Sequence, residues 1–174
     1  MPPGRLLVGE QEWVSKRHST VRDIVEHGLL DVPMDSLLKV TTVRNPFDSI
    51  VSKWLKLLHR PNRFSNKMVQ RKQLDFAGYV ARFWGDRPEE SMHAEFVDGI
   101  DEVMRFETLH DDLARVLALV GAPVFELPRV NPTTQKTRHY SEYYDEKARA
   151  VIERVFRSDL ERFGYEFERP PGSG

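Results

Sequence analysis

The stretch from residue 37 to residue 58 constrains the fold more than any other. Leu37-Leu38-Lys39-Val40-Thr41-Thr42-Val43 is rich in β-branched side chains and reads as a strand. It runs without a spacer into Arg44-Asn45-Pro46. Asn45 is a favoured N-cap, and Pro46 suits a first helical position, where its missing N–H has no partner to lose. Phe47, Ile50, Val51, Trp54, Leu55 and Leu58 then recur at helical spacing, so a helix runs to about His59. A strand that turns directly into a helix, with an arginine at the joint, belongs to layered α/β architecture.

The rest of the chain extends the alternation. Residues 5–14 read as a strand or extended lead-in, and Ser19 or Thr20 caps a short helix that Gly28 stops. Residues 60–72 form a basic loop or broken helix. Leu74–Trp84 is an amphipathic helix, Gly85–Glu95 a polar loop, and Ile100–Phe106 a second strand. Thr108 with Asp111 opens a helix closed by Gly121 and Pro123. Asp145 caps a last helix whose apolar stripe runs from Ala148 to Phe163, and Gly164 ends it. Strands alternating with helices predict a parallel sheet, whose ligand sits outside the carboxyl ends of the strands. That rule singles out Arg44 and the loop after Phe106. One domain over residues 1–169 and a tail at 170–174 are expected from a chain of 174 residues.

Composition narrows the function classes. With 40% hydrophobic and 30% charged residues the chain is neither disordered nor collagenous. No run approaches the about 18 apolar residues of a spanning helix, and no secretory signal opens the sequence, so a cytoplasmic location is expected. The absence of cysteine excludes thiolate metal sites and thiol nucleophiles. His27, His59, His110 and His139 lack partners at metal-ligand spacing, so no metal is expected. The net charge of −1 hides an asymmetry: residues 1–72 carry 13 Lys/Arg against 7 Asp/Glu, and residues 73–174 carry 13 against 20. A basic half suggests an anionic ligand, or equally the attraction of two halves within one fold.

At the joint, a guanidinium beside a helix N-terminus offers a fork of donors to a phosphate. Ser52, eight residues on, can turn its hydroxyl to the same anion. Spacing alone leaves a second arrangement open, in which Arg44 pairs with a carboxylate such as Asp48 and Ser52 is a surface serine.

Val43-Arg44-Asn45-Pro46-Phe47-Asp48-Ser49-Ile50-Val51-Ser52-Lys53-Trp54 resembles the 3′-phosphate-binding motif of sulfotransferases that use 3′-phosphoadenosine 5′-phosphosulfate (PAPS). Three further segments resemble carbohydrate-type members of that family. They are Lys16–Ile24, Val103-Met104-Arg105-Phe106-Glu107-Thr108-Leu109 followed by Asp112, and Asn131–Asp145 together with Asp159–Tyr165. The resemblance covers residues 14–167. It implies a P-loop-like three-layer sandwich with a parallel sheet. It also implies transfer of a sulfuryl group from PAPS to a hydroxyl-bearing acceptor, a glycan.

By that resemblance Arg44 and Ser52 hold the 3′-phosphate. Lys136 and Arg138 lie in a loop that folds over the donor, unless they belong to a merely solvated basic loop. His18 is the candidate general base, since imidazole titrates near neutrality. Its alternative role is a helix-entry histidine bonded to local backbone, and His93 is the weaker second candidate. Arg60, Arg63, Lys67, Arg71 and Lys72 either guide an anionic acceptor or form a solvated face. One family part is missing from the sequence: no strand leads into a Lys-Thr or Lys-Ser loop that would cradle the 5′-phosphosulfate, and the only Lys-Thr dipeptide is Lys136-Thr137. The chain therefore reads as lacking the N-terminal strand and loop, with a non-catalytic nucleotide- or anion-binding remnant as the alternative. A basic nucleic-acid-binding module is a further alternative, disfavoured because no recognition motif is present and Phe64 alone interrupts the basic stretch. No nucleic acid is expected as a partner, and the oligomeric state is left open.

Overall fold

The computed structural model describes residues 5–8, 12–15, 19–59, 73–128, 136–168 and 170. They group into two compact units, one from Met1–Val43 and His93–Glu126, the other from Arg44–Met92 and Leu127–Gly174.

The first unit holds the strands. β1 (Arg5–Val8) and β2 (Glu12–Ser15) form an antiparallel ladder with Arg5 opposite Ser15 and Val8 opposite Glu12. The strand or extended lead-in expected for residues 5–14 is thus two short strands paired antiparallel. α1 (Val21–Glu26) opens with a capping box: Thr20 accepts the Asp23 N–H, and the Asp23 carboxylate accepts the Thr20 N–H. Gly28 stops it at φ 55°, a conformation that costs glycine little. β3 (Val40–Val43) and β4 (Glu102–Arg105) pair in parallel, Val40 beside Glu102 and Val43 beside Arg105.

β3 is shorter than the stretch 37–43. A 3₁₀ turn at Met34–Ser36 occupies the approach, and Lys39 binds outside the ladder. Its N–H donates to the Asp101 carboxylate, and its carbonyl accepts the Asp101 and Glu102 N–H groups. β4 leads through a 3₁₀ turn into the helix Leu109–Leu119. Asp112, rather than Asp111, secures that entry by accepting from the Arg105 N–H and the Thr108 hydroxyl.

The second unit is helical: Pro46–His59 (α2), Phe76–Trp84 (α3), Glu146–Val155 (α6) and Arg157–Phe163 (α7). The first unit carries two further helices, Ala94–Val97 (α4) and Leu109–Leu119 (α5). α3 and α6 are capped by Asp75 and Asp145. The expected last helix is broken at Phe156, whose φ of −109° leaves the helical range. Its ring packs at 5.1 Å, edge on, against Trp84, and the chain resumes as α7. Gly164 ends α7 in the left-handed conformation.

The core of this unit joins aromatic rings to aliphatic side chains such as Ile50, Val80 and Ile152. Phe47, fully buried, meets Tyr144 at 5.5 Å and Phe167 at 5.0 Å, both edge on, and Phe76 meets Tyr144 at 4.6 Å. Each such pair adds about 0.5–1.5 kcal/mol beyond area burial. The loop before His93 is fastened to α6 and α7. Arg154 donates to the carbonyls of Gly85 and Arg87, and the buried Asp159 accepts from the Ser91 hydroxyl and the Met92 N–H.

Candidate functional site

α2 starts where its first residues satisfy their own backbone. Asn45 accepts the Phe47 N–H at 3.0 Å through its side chain, and its amide reaches Tyr140 and the Glu166 carbonyl at 3.5 Å. Tyr144, whose hydroxyl burial holds far on the protonated side of its ordinary range, donates to the Phe47 carbonyl at 2.9 Å. The first turn of α2 is therefore held from both the near and the far end of the unit.

Arg44, just before α2, and Asp48 and Ser52 within it follow one another at four-residue intervals, which sets Asp48 and Ser52 on one helix face. Arg44 donates from Nε to Asp48 Oδ2 at 2.7 Å, its Nη2 reaches the same oxygen, and Nη2 also donates to Ser52 Oγ at 2.8 Å. The pairing with Asp48 that spacing left open is present. Ser52 is not a surface serine: it is 2% exposed. Both residues therefore occupy one cluster.

Lys136 joins this cluster from 88 residues downstream, its Nζ bonding Asp48 Oδ1. Its ammonium also lies 5.9 Å from the centre of the Tyr140 ring. Burial, and then the charge of Arg44, push Lys136 down to about 8. Asp48 is 8% exposed, and each of its oxygens is engaged by a different cation. Two positive side chains and one hydroxyl thus converge around a single carboxylate. The three charged groups leave one net positive charge, a setting that binds anions.

The other sequence candidates fall elsewhere. Arg138 places its guanidinium 4.5 Å over the Tyr143 ring and does not join Arg44. His93 stands at the N-cap of α4 in the first unit. His18 and the basic stretch 60–72 lie outside the described residues. Among the described residues no group of His, Asp or Glu could hold a metal ion, and no helix is long and apolar enough to cross a membrane. Sequence reasoning treated Asp48 only as a rival partner for Arg44. Its four-residue spacing was visible, but its second bond, to Lys136, depends on tertiary closure.

This geometry stands on the strand–Arg–Asn-Pro–helix joint, and a model of the sulfotransferase family matches the chain over residues 9–166. The protein belongs to the sulfotransferase family. Neither the curated proteins nor the solved structures yield a match.

Proposed function

We propose that this protein transfers a sulfuryl group from PAPS to a hydroxyl of a carbohydrate, and that Arg44, Ser52 and Lys136 hold the 3′-phosphate of the donor. Sulfuryl transfer is the chemistry of the family. The observation that carries the donor assignment is the convergence of Arg44, Lys136 and the buried Ser52 hydroxyl on one face at the start of α2. Charge-assisted donors of this kind suit a phosphate monoester, and the guanidinium supplies a planar fork for its oxygens.

In this reading the acceptor oxygen attacks sulfur, the sulfur–oxygen bond to the 5′-phosphate breaks, and 3′-phosphoadenosine 5′-phosphate leaves. His18 takes the acceptor proton. Catalysis of such a displacement rests on positioning and charge stabilisation, as in phosphoryl transfer. Lys136 serves the 3′ side of the donor in this reading. Arg138, stacked on Tyr143, contributes to the donor loop without touching the 3′-phosphate. The two compact units are parts of one P-loop-like domain, since the family match runs across both and the chain passes between them three times.

A thermal-melt titration with 3′-phosphoadenosine 5′-phosphate tests the donor site. At 100 times its dissociation constant the ligand adds about 2.7 kcal/mol of stability to the protein. Arg44→Ala removes that gain. A folded wild-type protein whose melting point ignores the ligand would sink the assignment.

A further inference from the structure

The cluster contains one group that neither the 3′-phosphate assignment nor the family match explains. Asp48 is a carboxylate in a site meant for anions. By charge alone it should oppose every ligand the site takes, and its removal should tighten binding. The geometry points the other way.

Asp48 divides its two oxygens between two cations that come from distant parts of the chain. Oδ2 receives Nε and Nη2 of Arg44, which sets the plane of the guanidinium and turns Nη2 toward Ser52. Oδ1 receives Lys136. Without a shared acceptor, two cations this close repel and turn outward, because like charges in a partly buried setting are weakly screened. Asp48 itself stands on the first turn of α2, whose position is held by Asn45 and by Tyr144. The bracket is rigid, and the residue it brings in is on a loop.

We propose that Asp48 is the positioning residue of the anion site: one carboxylate oxygen orients Arg44, the other draws Lys136 in, and the donor's 3′-phosphate meets two cations already aimed at it. This rests on the donor site proposed above, and it makes a prediction of opposite sign from simple electrostatics. Preorganised groups bind more tightly because the ligand need not order them.

The test uses Asp48→Asn, Lys136→Met and the double variant, each checked for folding by circular dichroism. Asparagine still accepts from Arg44 but turns an N–H₂ donor toward Lys136, so it cuts the Lys136 arm selectively. Each single variant should weaken 3′-phosphoadenosine 5′-phosphate about tenfold, the loss typical of one charge-assisted contact. The double variant should lose no more than either single one, since both remove the same contact. Tighter binding by Asp48→Asn, or fully additive losses, would overturn the proposal.

A ligand-free arm separates this from the donor assignment. The groups that face Lys136 among the described residues are Asp48, Arg44 and the Tyr140 ring. Reductive ¹³C-methylation followed by NMR titration reads the Lys136 amine directly. It should titrate lower in Asp48→Asn than in the wild type, and an unchanged titration would refute the positioning role whatever the nucleotide does. If the wild type ignores the nucleotide while the Lys136 titration shifts, the donor assignment fails and the Asp48–Lys136 bracket stands. Should Asp48→Asn not fold, Lys136→Gln approaches the same contact from its other side, with the same tenfold loss expected and unchanged binding refuting.

Discussion

In the unit of residues 44–92 and 127–174, Phe47, Ile50, Val80, Ile152, Val155 and Phe156 are almost wholly withdrawn from water, and rings meet edge to face around them. In the unit of residues 1–43 and 93–126, Val25, Leu119, Val120, Val124 and Phe125 stand more than half exposed. The contrast follows from the elements each unit owns. Amphipathic helices can close a core among themselves. A parallel sheet needs cover on both faces and more than two strands, and β3 with β4 supplies only two among the described residues. The cluster of Arg44, Asp48, Ser52 and Lys136 sits on the unit that closes its own core, which is where a site that must hold its geometry belongs.

The sharpest way to break this comparison is to truncate one large apolar side chain in the helical unit and one exposed apolar side chain in the other. Phe47→Ala should lose about 3–5 kcal/mol, the usual result of emptying a tightly packed aromatic site. Val124→Ala, at a side chain 65% exposed, should change stability by no more than about 0.5 kcal/mol. Urea denaturation of the two variants measures both. Similar losses would erase the distinction between the units.

A second measurement asks whether the ionic response also belongs to the helical unit. Lys136 is held down to about 8, so it loses its charge as pH rises through that value. An anion prefers the protonated form, so affinity for 3′-phosphoadenosine 5′-phosphate should be steady near neutrality and fall above pH 8. The fall should level off at about tenfold in all, the loss expected of Lys136→Met. Isothermal titration from pH 6.5 to 9.5 follows it, and Lys136→Met should flatten the curve.

The smallest effect compares the caps. Thr20→Ala and Asp145→Ala each remove one side-chain acceptor from a helix start and should cost about 1 kcal/mol locally. In Asp145→Ala the loss should lower global stability, because α6 carries core residues. In Thr20→Ala it should show in hydrogen exchange of α1, which buries no residue fully. Equal global losses would show that the first unit unfolds as one body with the second.

What could be read in advance was chemistry that contiguous residues settle among themselves. The start of α2 at Pro46 and its end at His59, the caps at Thr20 and Asp145, and the left-handed stop at Gly164 all depend on neighbours within four residues. What could not be read depends on packing across the chain. Phe156 interrupts the last helix because its ring is held by Trp84, and β3 begins late because Lys39 answers to Asp101. The site divides the same way. Arg44, Asp48 and Ser52 are a spacing that any reader can count, whereas Lys136 entered only through a family likeness. That Arg138 stacks on Tyr143 instead of standing beside Lys136 has no local signature at all.

The reach of Lys136 has a meaning for how the molecule is made. Its bond to Asp48 closes a loop of 88 residues, while Arg44 finds Asp48 within one helical turn. Loop-closure entropy grows only with the logarithm of length, about 0.6 kcal/mol for each doubling, so this distance is a small burden on stability. It is a larger burden on speed, because non-local contacts must wait for the chain between them to find its shape. The Arg44 half of the site can form as soon as α2 does, and the Lys136 half must come later. On the ribosome this becomes a matter of timing, since Lys136 cannot be present until most of the chain has been synthesised.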